Sequence, residues 1–162
     1  MSLISQLCMV GASCMALTIY LIIYLLRYGV PESVSATYYS DFPKWAFSTT
    51  IALAGGFILV PWLEISQKTE FCAFIATVSV FFVASSPTFK EKFVGRVHYG
   101  SAITLFIASV VWLLVNDGFW AFLLVSFVPA VIYRKKWLFW VEVGLFISVY
   151  STLITSLLAK FP

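Results

Sequence analysis

The sequence predicts an all-α fold, a polytopic membrane helix bundle with six transmembrane helices built as one domain over residues 1–162. Three observations predict it. Hydrophobic residues make up 62% of the chain and charged residues only 10%, far below the quarter or so typical of a water-soluble domain. The apolar residues fall into six runs, most of them near the ~20 residues that an α-helix needs to cross the hydrocarbon core. The breaks between runs carry most of the charged side chains, which is where a chain threaded through lipid must put them.

The first run, Leu3 to Leu26, is closed by Arg27. It has no basic leader and no small-residue cleavage site, so it reads as a retained span. The longest polar segment follows, Pro31 to Lys44, with three serines, one threonine, two tyrosines and two carboxylates between Pro31 and Pro43. Proline fixes φ and lacks an N–H, so Pro31 ends one element and Pro43 opens the next. The second run, Trp45 to Leu63, contains Pro61, expected to kink or end its last turn before Glu64, Gln67, Lys68 and Glu70. The third, Phe71 to about Ser86, is cut short by Pro87 and followed by the basic loop Lys90 to Arg96. The fourth covers Val97 to Val115 and ends at Asn116-Asp-Gly118, a tight-turn signature. The fifth, Phe119 to Tyr133, is short for a span and carries Pro129, which leaves a tilted, broken or partly buried helix open. Arg134-Lys-Lys136 opens the sixth, Trp137 to Leu158.

The loops at 27–44, 90–96 and 134–136 share one side and hold eight of the ten Lys and Arg; Lys68 and Lys160 lie on the other. The positive-inside rule then places both termini outside the cytoplasm and the Pro31–Lys44 loop inside. Residues 1–90 and 91–162 show no similarity to each other, so no inverted repeat is assigned. Small residues at four-residue spacing mark close helix contacts: Ser48, Ala52 and Gly56 on the second helix, Gly144, Ser148 and Thr152 on the sixth. Trp45, Trp62, Trp120 and Trp137 near span ends fit an interfacial aromatic belt. Cys8, Cys14 and Cys72 lie in apolar runs and read as packed, inert thiols.

Six short-looped helices bring the first loop, the start of the fourth helix and the start of the sixth to one membrane boundary. The candidate ligand-binding residues there are Ser33, Ser35, Tyr38, Tyr39, Asp41, Arg96, His98 and Glu142. His98 is the sole histidine; it serves either as a neutral interfacial imidazole bonded to a loop group or as a ligand-contacting or proton-transferring group. Glu142 lies inside the sixth helix, where a carboxylate is expensive unless paired, wet or protonated, and Lys135, two turns earlier on the same face if the helix extends that far, is its expected partner. One histidine with scattered carboxylates lacks the multi-ligand pattern of zinc, so no metal is expected. No mid-span lysine, histidine pair, glycine-rich phosphate loop or nucleophile elbow is present, so no cofactor is expected; no nucleic-acid module is visible either.

Pro31-Glu-Ser-Val-Ser35 in the first loop and Val97-His98-Tyr-Gly-Ser-Ala102 opening the fourth run are similar to motifs of a six-span superfamily. It includes the damage-regulated autophagy modulators, the FGF-receptor-activating protein and small bacterial relatives. Pro31, Ser33, Val34, Ser35 and His98 are the matching positions. The resemblance implies a membrane protein acting in lipid or membrane homeostasis, with no catalytic residues to carry over. It also implies a signature loop on the outer or lumenal side, opposite to the side that the basic residues predict.

The leading expectation is a multi-pass membrane protein that binds a lipid or small ligand at the face formed by the Pro31–Lys44 loop and the start of the fourth helix. Alternatives are a membrane lipid hydrolase or transferase with His98 as general base beside Asp41 or Glu142, and a small transporter or channel with a path past Glu142 and the hydroxyls of Ser148, Ser151, Thr152 and Thr155. Membrane lipids are the expected partners, nucleic acid is not, and homo-oligomerisation stays open.

Overall fold

The computed structural model describes residues 1–66 and 68–160. Six α-helices run α1 (Leu3–Tyr28), α2 (Lys44–Ile65), α3 (Glu70–Ser85), α4 (Lys92–Val115), α5 (Ala121–Ile132) and α6 (Trp137–Ala159), with short 3₁₀ turns at Ser35–Tyr39 and Arg134–Lys136. Four helices, α1, α2, α4 and α6 with its leading 3₁₀ turn, have the length and apolarity to cross a bilayer. The chain is thus an all-α membrane protein.

Six full-length spans are not what forms. At 1.5 Å per residue, α3 is about 24 Å long and α5 about 18 Å, against a hydrocarbon core of about 30 Å. The stops are local. The Ser86 backbone N–H closes α3 on the Phe82 carbonyl at 3.1 Å, and Pro87 forbids another turn. Before α5, Asp117 takes a left-handed φ of +49° and Gly118 N–H bonds the Leu113 carbonyl at 2.8 Å, and the helix opens only at Ala121, leaving Phe119 and Trp120 of the run outside it.

Other boundaries moved outward. α4 begins at Lys92, so most of the basic 90–96 segment is helical, with Arg96 in its second turn. Pro61 does not end α2, which continues to Ile65, where Ser66 N–H closes on the Trp62 and Leu63 carbonyls. α1 ends as the sequence reads. Gly29 adopts φ +75° and its N–H bonds the Leu25 carbonyl at 2.9 Å, a left-handed cap that a side chain would strain.

Helices adjacent in sequence pack in pairs from α1 to α4, α5 packs on α6, and α6 closes the bundle against α1, α2 and α4. Ser13 stands at the centre. Its hydroxyl donates to the Ala54 carbonyl of α2 at 2.7 Å and accepts from the Tyr150 hydroxyl of α6 at 2.7 Å, joining three helices at a fully buried point. The small-residue stripe of α6 is a contact, as its spacing implied. Gly144 lies so close to Ser126 of α5 that a Cβ would collide with it. Ser148 Oγ accepts from Leu123 N–H at 3.0 Å and Thr152 Oγ1 from Phe119 N–H at 2.8 Å, capping the bare donors at the start of α5. These hydroxyls are spent on packing and on their neighbour's backbone.

The α2 stripe is displaced by one residue. Gly56 is exposed with open space beside it, and the close approach is made by Gly55, whose Cβ would sit 2.9 Å from Val80 of α3. Trp62 leaves the aromatic belt as well. It is 3% exposed and meets Trp112 edge to face at 5.3 Å, while Trp45, Trp120 and Trp137 are exposed. The three cysteines are free, and Cys8 faces outward instead of packing inside.

Candidate functional site

The first loop is a built structure. Ser33 Oγ accepts from Ala36 N–H at 3.1 Å, and Thr37 Oγ1 donates to the Val34 carbonyl at 2.6 Å while accepting from the Tyr20 hydroxyl of α1. Lys44 Nζ closes the far end on the Tyr38 and Ser40 carbonyls. Phe42 packs edge to face against Tyr20, Tyr24 and Tyr28 of α1. Serine and threonine suit such a segment because their short hydroxyls satisfy turn backbone that no helix can.

Two ties join this loop to the rest of the rim. Glu142 Oε2 accepts from Val34 N–H at 2.6 Å, and Phe139 N–H donates to the Glu32 carbonyl at 3.2 Å, both from α6. On the other side the Tyr39 hydroxyl accepts from Lys90 N–H at 2.8 Å, and its ring meets Phe89 edge to face at 4.9 Å. Phe89 in turn stacks on His98 at 4.7 Å. The loop, the α3–α4 connection and the start of α6 therefore share one rim, as the hydrophobic runs implied.

Beneath the loop lies a cavity of about 500 Å³ between α2, α4 and α6. Val34 and Ser35 roof it. Phe47, Ile51, Ile58 and Trp62 of α2 form one wall, Ala102, Phe106 and Ser109 of α4 a second, and Val141, Glu142, Leu145 and Tyr150 of α6 a third. Tyr99 and Ile103 of α4, Phe127 of α5 and Trp137 of α6 line it while exposing half or more of their surface, or nearly so. The cavity therefore opens sideways, between α4 and the α5–α6 pair, through the bundle's apolar flank.

Of the predicted residues, Ser35 and Glu142 line the cavity. Ser33, Tyr38 and Tyr39 build the loop that covers it. His98 and Arg96 are near in sequence and apart in role. His98 is 2% exposed, its Nδ1 bonds the Ser86 carbonyl at 2.9 Å, and it fastens the end of α3 to the start of α4. It bonds neither Asp41 nor Glu142 among the described residues, so the acid–base constellation expected of a hydrolase is not assembled there. Arg96 is exposed on a shallow groove between α3 and α4, and Asp41 is exposed on the loop. Glu142 does not pair with Lys135, which is exposed; its partner is backbone. Among the described residues the one ion pair is the amino terminus with Glu64, at 3.6 Å on the opposite rim.

The sequence reading missed Trp62, Ser109 and Tyr150. Each sits in an apolar run with nothing local to set it apart, and only the approach of three helices makes them one surface. No three His, Cys, Asp or Glu side chains among the described residues come together to hold a metal. Comparison with protein-family models, with curated proteins and with solved structures returned no match.

Proposed function

We propose that this membrane protein binds an amphipathic lipid-like ligand, its chain in the cavity between α2, α4 and α6 and its head beneath the Pro31–Lys44 loop at Ser35 and Glu142. The observation that carries the reading is the cavity itself: about 500 Å³, walled mostly by apolar side chains, open to the bundle's flank and bearing only a few polar groups. Ligand sites have this form, concave and mostly apolar with a few placed polar groups. A flank opening suits a ligand that arrives from within the bilayer. The resemblance of Pro31–Ser35 and Val97–Ala102 to a superfamily of lipid and membrane homeostasis points the same way.

The reading includes six crossings, with α3 and α5 traversing as short, lipid-thinning segments between opposite rims. Their exposed faces support this, with Phe71, Phe74 and Phe82 on α3 and Leu124, Val125, Val128 and Val131 on α5. It also includes the orientation set by the basic residues, with both termini outside the cytoplasm.

The test is to purify the protein in mild detergent and identify co-purifying lipids by mass spectrometry, beside Ala102→Trp, which fills the cavity from α4. A lipid enriched with the wild type and lost from a folded Ala102→Trp supports the site. Equal recovery from both removes it.

A further inference from the structure

On the premise that the cavity is the amphiphile site proposed above, we infer that it selects long-chain ligands whose head donates hydrogen bonds, an amine or a hydroxyl, over those with a phosphate head. Its length favours a chain. Lining residues on α2 run from Phe47 to Trp62, about 22 Å at the helical rise, against about 15 Å for one leaflet of the hydrocarbon core.

The head group follows from what the rim end supplies. Glu142 and Ser35 are joined there by the hydroxyl of Tyr99 and the indole of Trp137, and Glu142, the one charged side chain among them, has one oxygen engaged by Val34 N–H while the other receives no hydrogen bond among the described residues. A carboxyl oxygen left without a donor in an apolar wall is stabilised by an incoming N–H or O–H and repels an anion. No Lys, Arg or His among the described residues lines the cavity. The basic residues of the same rim, Arg27, Lys44, Lys90 and Arg134 among them, are exposed outside it. A phosphate would meet them at the surface, never in the cavity.

The experiment measures saturable binding of radiolabelled hexadecanol to the protein in detergent, with unlabelled hexadecylamine and hexadecyl phosphate as competitors. Hexadecylamine is expected to compete at least as well as hexadecanol and hexadecyl phosphate at least tenfold more weakly. Glu142→Gln keeps an oxygen for Val34 N–H, so it is expected to retain hexadecanol and to weaken hexadecylamine tenfold or more. Phosphate competing as well as alcohol, or an amine affinity that ignores Glu142→Gln, overturns the head-group selectivity and leaves the cavity reading standing. Hexadecanol binding that is absent, or as strong in folded Ala102→Trp as in the wild type, overturns the cavity reading and the selectivity with it.

Discussion

Glu142 of α6 and Val34 of the first loop are joined by a 2.6 Å hydrogen bond from backbone N–H to carboxyl oxygen, across 108 positions of sequence. This bond holds the roof of the cavity to its wall. Glu142→Ala leaves the Val34 N–H bare at a position 3% exposed, and a buried unsatisfied donor costs about 1–3 kcal/mol. The expected result is a lower thermal midpoint in detergent and faster proteolysis within residues 31–44. Glu142→Gln should spare both, since its amide oxygen still accepts.

His98→Ala is expected to act on stability and leave amphiphile binding in place. The substitution removes the bond to the Ser86 carbonyl and the stacking on Phe89, for a loss of about 1–3 kcal/mol. Thermal unfolding and hexadecanol binding measured on the same sample separate the outcomes. An unchanged midpoint with binding abolished would return the imidazole to the ligand.

The double variant Ser148→Ala, Thr152→Val strips the two caps from the start of α5. Leu123 and Phe119 N–H groups lose their acceptors, so amide exchange over 119–123 should accelerate well before exchange in α1 or α2 does. Liposomes carrying the wild type should stay ion-tight, because these hydroxyls serve α5 and form no conduit. Flux that depends on Ser148 would contradict that assignment.

Gly144→Val should prevent normal assembly of the α5–α6 pair. A Cβ at 144 meets Ser126 and the Phe122 carbonyl, and overpacking of this kind costs about 1–3 kcal/mol or more where backbone must move. Adding Ser126→Gly to Gly144→Val should recover part of the lost thermal midpoint, and no recovery would show that the contact is not limiting.

Orientation can be read with single cysteines placed in a background lacking Cys8, Cys14 and Cys72. Asp41→Cys and Lys160→Cys both occupy exposed positions. The basic loops predict that an impermeant maleimide added outside intact cells labels position 160 and spares position 41. The reverse pattern would invert the protein and favour the outer placement implied by the family resemblance.

What the chain alone determined is the membrane class, the six helices, the rim on which the polar loop, His98 and Glu142 gather, and the role of the Gly144, Ser148, Thr152 stripe. Those features are written in local pattern: hydrophobic runs, proline and charge at their ends, small residues at four-residue spacing. Tertiary structure alone decided that Glu142 answers to Val34 and not to Lys135, and that His98 fastens two helix ends while Asp41 and Arg96 stand apart. It alone brought Trp62, Ser109 and Tyr150 to one cavity. The reason is that an apolar residue looks the same in sequence whether it faces lipid, a neighbouring helix or an internal space. Only the way α2, α4 and α6 diverge beneath the loop tells these apart.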